Sequence, residues 1–353
     1  MKFNLIGPLI GNSGYNIHFR NFFNTLANLE EVKLETQLIQ GWEAFVNDTE
    51  LKAIKQPYFK DGITYCVGLP NTWHIFMLES CEKFIGCCVW EGDRIPLGFV
   101  KDINVTDLVV VPSSHVKNAI LNTIPDIENK IKIVPHGVNL LDFQPRDKTD
   151  LKFTFLANKG FAQGKNDRGG LYYLLKAYCE EFKKNENVVL KIKINMSYCP
   201  PGYNVFNVLE SFGLPKDHAD ILINTDFVDY KDIPKFYDGD VFVSPTMGEA
   251  FSIPCLEAMA SGIMVITTGF GGQTDFVNND NGILISWKLK EVTHDVLYEG
   301  INWAEPDVED LKKKMRWCFE HSELVKEKGI KARKMAENYS WRNAVDKFFE
   351  ILK

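Results

Sequence analysis

Gly248-Glu249-Ala250-Phe251-Ser252-Ile253-Pro254-Cys255-Leu256-Glu257-Ala258-Met259-Ala260-Ser261-Gly262 sets two glutamates eight positions apart across the start of a helix. Upstream, Gly239-Asp240-Val241-Phe242-Val243-Ser244-Pro245 reads as a short buried strand, because its apolar run is β-branched and aromatic and a proline ends it. A loop must follow. Pro254 suits the first turn of a helix, where its missing N–H is not needed, and Leu256, Met259 and Ala260 give an apolar stripe closed by Gly262. Glu249 therefore precedes the helix and Glu257 lies about one turn inside it. The unpaired N–H groups and positive dipole end of such a helix start suit a diphosphate. A carboxylate one turn in can accept two hydrogen bonds from a ribose diol, and Glu249 on the loop can face whatever the diphosphate carries. In isolation the two residues read equally well as ordinary acids favoured near helix N-termini by the dipole.

The surrounding residues favour the ligand-binding reading. The window continues through Met264-Val265-Ile266-Thr267-Thr268-Gly269-Phe270-Gly271-Gly272-Gln273-Thr274-Asp275-Phe276-Val277 to Asn281-Gly282-Ile283-Leu284-Ile285. In this form it resembles the C-terminal domain of glycosyltransferase family 4, retaining enzymes of two-domain GT-B architecture whose hallmark is a Glu-x7-Glu motif. Three further segments share the resemblance. They are Ile133-Val134-Pro135-His136-Gly137-Val138-Asn139 with Phe143-Gln144-Pro145, Val109-Val110-Val111-Pro112-Ser113, and Tyr339-Ser340-Trp341 with the helix after it. Residues 30 to 75 carry little of it.

Composition is compatible with this reading. A chain of 353 residues exceeds the usual single core, and 45% hydrophobic residues can fill two. A net charge of −7 leaves no basic footprint for nucleic acid. The eight cysteines form no Cys-x-x-Cys pair and the histidines do not cluster, so free thiols in a reducing, cytoplasmic setting are expected rather than zinc or disulfides. The start, Lys2-Phe3-Asn4-Leu5-Ile6, is strand-like rather than a signal sequence, and no run approaches the roughly 20 apolar residues that span a bilayer. Peripheral contact at the inner membrane surface stays open, because many members of the family act on lipid-linked acceptors.

Short apolar runs alternate with helical patterns, which argues for α/β doubly wound parallel sheets. Strands are expected at 2–6, 33–39, 62–67, 84–90, 107–111 and 131–134, then at 152–156, 188–194, 221–224, 240–244, 263–267 and 283–286, with helices beyond 307. The polar stretch Asp142-Phe143-Gln144-Pro145-Arg146-Asp147-Lys148-Thr149-Asp150 marks a boundary. The expected domains are 1–145, joined by the terminal helix 340–353, and 146–339. Both are Rossmann-like, and the resemblance implies a GT-B arrangement with the two facing across a cleft. It assigns the acceptor to the first domain and the nucleotide sugar to the second.

Other residues join the candidate site. Gly7-Pro8-Leu9-Ile10-Gly11-Asn12-Ser13-Gly14-Tyr15 is a glycine-rich strand-to-helix loop without the Gly-x-Gly-x-x-Gly spacing. Gly11 and Gly14 there could present backbone N–H groups to a phosphate or sugar. Lys159, Lys165 and Arg168 lie between a strand and the helix from Leu171, where cations would neutralise a diphosphate. The chain departs from the family pattern here: Gly169 stands where a lysine is expected, Lys159 is the nearest stand-in for the first arginine, and Lys165 is the candidate replacement for the lysine. His74 follows a strand where relatives place a histidine facing the donor sugar, although a lone histidine beside Trp73 also reads as structural. Glu91 suits an acceptor hydroxyl, or equally a salt bridge to Arg94.

The resemblance thus implies a hexosyltransferase that moves a sugar from a UDP- or GDP-sugar to a glycan, lipid-linked or small-molecule hydroxyl with retention and no metal or other cofactor. Glu249, Arg168, Lys165 and His74 would act in catalysis. Lys159, Gly11, Gly14, Ala250, Phe251, Ser252, Glu257 and Glu91 would bind. A sugar-nucleotide-binding protein without turnover and a GT-B epimerase remain alternatives.

Overall fold

The computed structural model describes residues 1–38, 41–77, 80–160, 164–196, 199 and 202–353, apart from the side chain of Trp42. The chain divides into two compact units. One comprises Met1–Gly137, Leu297–Ile301 and Tyr339–Lys353, and the other Val138–Val296 and Asn302–Asn338.

Unit 1 holds a parallel six-stranded sheet in the order β2-β1-β3-β4-β5-β6, made of β1 (Lys2–Ile6), β2 (Glu31–Glu35), β3 (Ile63–Val67), β4 (Lys83–Cys87), β5 (Leu108–Val111) and β6 (Ile131–Ile133). Unit 2 holds a second parallel sheet, β12-β11-β10-β7-β8-β9, of β7 (Phe153–Gly160), β8 (Val188–Asn195), β9 (Asp220–Asn224), β10 (Val241–Ser244), β11 (Met264–Thr268) and β12 (Gly282–Ile285). All twelve fall on the apolar runs of the sequence. Two windows end short: 33–39 stops at Glu35, with residue 39 outside the described residues, and 84–90 stops at Cys87. In both sheets the strand order reverses beside the first strand, between β1 and β3 and between β7 and β10. Open sheets of this kind take ligands there, outside the carboxyl ends of the strands.

An antiparallel ribbon, β13 (Trp287–Glu291) with β14 (Asn302–Pro306), was not expected. Every residue of β13 is exposed, so its Trp-Lys-Leu-Lys-Glu carries no buried face to announce it. Residues 138–145 also pack with unit 2 rather than with the first sheet. Phe143 meets Tyr230 and Tyr237 at ring distances of 6.1 and 5.6 Å, and Arg333 donates to its carbonyl. Leu297–Ile301 goes to unit 1 because Tyr298 stacks on Trp90 at 4.6 Å.

Helix α1 (Gly14–Ala27) starts on a reciprocal cap between Ser13 and Asn16 and buries Phe19, Phe22, Phe23 and Leu26 at i, i+3, i+4 and i+7. The last helix, α10 (Trp341–Glu350), closes the same core with Val345 and Phe348. Gly137 passes so close that a Cβ there would lie 2.5 Å from the Trp341 backbone nitrogen, so only glycine fits. Next to this crossing the buried rings of His18 and His136 lie 4.1 Å apart. Burial pushes His18 down to about 3, and burial together with His18 lowers His136 as well.

The unfolded chain takes up these protons near pH 6.5, whereas the folded one refuses them until the pH is far lower. Their contribution is therefore complete above pH 7 and lost as pH falls from 6.5 toward 3. On moving from pH 7.5 to 5.5, His18→Phe is expected to gain about 1.4 kcal/mol relative to the wild type in denaturant titrations. Taking the difference cancels the other titrating groups, and parallel behaviour of the two proteins would refute the claim.

Candidate active site at the start of the Glu257 helix

Lys159 at the carboxyl end of β7 and Ser244 at that of β10 stand on the two strands that flank the reversal. The buried Lys159 ammonium donates to the Ser244 hydroxyl at 2.6 Å. Burial lowers its proton affinity against the pull of Cys255, Glu249 and Asp167, which leaves a cation poorly compensated and attractive to an anion.

The two loops that leave these strands are laced together. Arg168 donates to the Gly248 carbonyl at 2.8 Å, the Met247 amide donates to the Arg168 carbonyl at 2.8 Å, and the Thr246 hydroxyl reaches both carbonyls at 3.0 Å. The Arg168 guanidinium ends 4.0 Å from the Glu249 carboxylate. Gly170 makes this crossing possible. Its φ is +74°, and a Cβ would fall 1.8 Å from the Pro245 carbonyl oxygen. Gly169, the departure from the family pattern, has a physical reason too: a Cβ there would sit 3.2 Å from Cδ of Lys159 and 2.9 Å from the Asp167 carboxylate. The Lys159 stem occupies the space that a lysine at 169 would need.

Helix α7 (Ile253–Ala260) starts as the motif requires, with Pro254 in its first turn, Glu249 on the loop before it and Glu257 inside it. Its cap residue, Ser252, has φ 74° and ψ 72° and is the only non-glycine of positive φ among the described residues. Strain of this kind, about 1–3 kcal/mol, gathers at functional sites. No side chain caps the helix and no acid lies in its first turn, so the positive end is not neutralised from within. Ala250 and Phe251 are buried beside it. The Glu249 carbonyl accepts the Gly272 amide at 2.8 Å, and Gly271, at φ +106°, leaves room for that loop where a Cβ would lie 2.7 Å from the same carbonyl.

Glu257 is 2% exposed, and both its oxygens already accept hydroxyls, from Tyr230 at 2.7 Å and Tyr237 at 2.6 Å. Burial raises it to about 7 against these two bonds. A ribose diol would have to use the remaining lone pairs or displace a tyrosine. Neither tyrosine was singled out from the sequence, where nothing in the 27- and 20-residue separations links them to Glu257. Lys165 is not drawn into the phosphate cluster by any described contact: its ammonium rests over the rings of Tyr172 at 5.1 Å and Phe212 at 5.9 Å.

In unit 1, Nδ1 of His74 lies 2.7 Å from the buried Asp102 carboxylate, which also accepts the His74 backbone N–H at 3.1 Å. More than half of the His74 side chain is exposed. A carboxylate on Nδ1 fixes the tautomer and leaves Nε2 as an acceptor. Asp102 is 28 positions away and was missed; no local pattern connects the two. The glycine loop after β1 is held rather than loose. Asn16 donates to the carbonyls of Pro8 and Ile10 at 3.1 and 2.9 Å, and Gly11, at φ +136°, has no room for a Cβ beside the Asn16 amide. Gly14 has open space around it. Glu91 accepts the Tyr298 hydroxyl at 2.8 Å, while Arg94 lies 4.0 Å from Asp93. Among the described residues no group of three His, Cys, Asp or Glu side chains is placed to hold a metal ion, and no helix is long and apolar enough to cross a membrane.

The segment that carries α7, β11 and β12 also carries a family signature. Residues 216–335 match the model of glycosyl transferases group 1. Over 112 residues the chain is 32% identical to the sulfoquinovosyl transferase SQD2 of Arabidopsis thaliana, a match that takes in 32% of this chain and 19% of that protein. The chain spans 66% and 56% of two further curated relatives, so it covers less than two thirds of each of these three. The fold is that of GT-B glycosyltransferases. A glycosyltransferase from Rickettsia africae superposes with a TM-score of 0.71 at 18% identity, covering 99% of this chain and 97% of the other. Anabaena HepE in complex with UDP-glucose superposes with a TM-score of 0.70 at 12% identity, covering 100% and 99%.

Proposed function

We propose that the protein is a retaining glycosyltransferase that takes a hexose from a nucleotide-diphosphate sugar. The observation that carries the reading is the convergence of Lys159, Arg168 and Glu249 on the uncapped start of α7. Two cations and a helix N-terminus form a seat for a diphosphate, and they also stabilise the charge that develops when the nucleotide leaves. In this scheme the leaving β-phosphate helps to deprotonate the acceptor hydroxyl on the face it departs from, so no carboxylate nucleophile is needed. Glu249 orients the sugar and Glu257 takes the ribose, while in unit 1 the His74 ring is held by Asp102. The cations replace a divalent metal, and we propose no cofactor. That HepE was solved with UDP-glucose supports a UDP-sugar as the first donor to try. The eight free thiols support a cytoplasmic setting.

The reading without turnover had its support in the missing lysine at 169. There the Lys159 side chain passes 3.2 Å from where a Cβ would stand, so a cation's stem borders the position. Incubation with UDP- and GDP-hexoses in excess EDTA should give sugar transfer or slow donor hydrolysis. Glu249→Ala should lower kcat with little change in nucleotide affinity, and Glu257→Ala should chiefly raise the donor KM. Activity that vanishes in EDTA and returns with Mg²⁺ would refute metal independence. Nucleotide binding without transfer or hydrolysis under any condition would favour the binding protein.

A further inference from the structure

We propose that a cavity of about 680 Å³ beside the β13–β14 ribbon of unit 2, lined by Lys165, Tyr172, Lys176, Trp287, Lys288 and Lys290, binds an anionic glycan, a sugar chain that carries carboxylates. Its volume falls in the range of roughly 300–1,000 Å³ usual for ligand pockets. It is separate from the seat at α7, with one loop as the shared wall. On one side of that loop Trp287 donates its indole N–H to the Gly269 carbonyl at 2.7 Å and packs on Phe270 at 4.9 Å; on the other, Gly272 bonds the Glu249 carbonyl.

Charge gives the sign of the ligand. Four ammonium groups face two carboxylates, in a chain whose net charge is −7. Asp307 is committed to capping the helix Val308–Glu320, accepting the amides of Glu309 and Asp310 at 2.9 and 3.1 Å. Glu305 sits between Lys290 at 2.7 Å and Lys288 at 3.0 Å and accepts the Tyr173 hydroxyl at 3.1 Å. The Lys290 bond above all, with Lys288, holds its carboxyl down to about 2, so it stays ionised at any working pH. Lys165 and Lys176 are left without a carboxylate partner among the described residues. They are the cations a carboxylated ligand would meet.

The rings give the class. Trp287 is 39% exposed and Tyr172 is half-buried, so each offers a face to an apolar surface, and Lys165 over Tyr172 sets a charge beside one of them. Sugar rings present such a surface through their C–H groups. A bare polyanion would have no use for the rings, and a neutral glycan none for the lysines. The net negative charge of the chain opposes a long nucleic acid.

Calorimetry on the full chain with hexagalacturonate, maltohexaose, tripolyphosphate and UDP separates these cases. Hexagalacturonate should bind, at least 10-fold more tightly than either maltohexaose or tripolyphosphate, and UDP should not displace it. Lys176→Glu with Lys288→Glu should weaken it 10-fold or more while leaving UDP affinity within twofold, and the milder Lys176→Gln should weaken it in the same sense if the double variant folds poorly. No binding of hexagalacturonate, tripolyphosphate binding as tightly, or indifference to the lysine changes would each overturn the proposal. Displacement by UDP would move the ligand to the α7 seat. Loss of UDP binding by the wild type would instead count against the glycosyltransferase reading and leave the glycan result standing.

Discussion

Replacing Lys159 by Met and Arg168 by Ala together should lower affinity for a nucleoside diphosphate by about 10²-fold or more, with affinity for the nucleoside kept within about twofold. Hydrogen bonds to charged groups contribute about 1.5–3 kcal/mol each, so two lost phosphate contacts amount to roughly 3 kcal/mol at the least. The selectivity follows from placement. Both cations lie beside the start of α7, whereas the proposed function gives the ribose to Glu257. Met keeps the buried stem of Lys159 and removes only the charge and its bond to Ser244, so the fold should tolerate it. Calorimetry with UDP against uridine, and GDP against guanosine, reads the result. An equal loss for nucleotide and nucleoside would remove both residues from the phosphate seat.

Gly170→Ala should strongly destabilise unit 2. The left-handed backbone by itself disfavours alanine by about 1–2 kcal/mol. The larger effect is steric, since the new Cβ would lie 1.8 Å from the Pro245 carbonyl oxygen and one of the two loops must move. That movement pulls apart the bonds from Arg168 and Thr246 to Gly248. A loss of at least about 3 kcal/mol in denaturant unfolding is expected, with loss of diphosphate binding in whatever folded protein survives. Gly14→Ala is the control, because nothing lies within 4 Å of its Cβ position. Similar stability in the two variants would show that the loops do not meet at Gly170 in solution.

How far the sequence could be read depended on the kind of signal involved. Both sheets were legible because each strand is a short apolar run between polar breaks, and α7 was legible because Pro254 and Gly262 bracket an apolar stripe. The same reasoning fails for β13, which has no buried side, and for Leu297–Ile301, whose place depends on Tyr298 meeting a tryptophan some two hundred positions earlier. Within the site the motif located Glu249 and Glu257, but not the state of Glu257. Its two tyrosines come from a separate turn and make it a buried, hydroxyl-bonded carboxyl instead of a solvated acid. Gly169 read as a missing charge, because a sequence lists positions and not the space that Lys159 fills. Lys165 could be counted as a cation, but its ring partners could not be seen.

The division of the chain also sets the order in which it can mature as it leaves the ribosome. Unit 2 has all its residues once Asn338 has emerged. Unit 1, although it is translated first, must wait for Val345 and Phe348 to enter its core and for Trp341 to settle against Gly137. The core that begins earlier in the chain is therefore completed later than the core that begins after it.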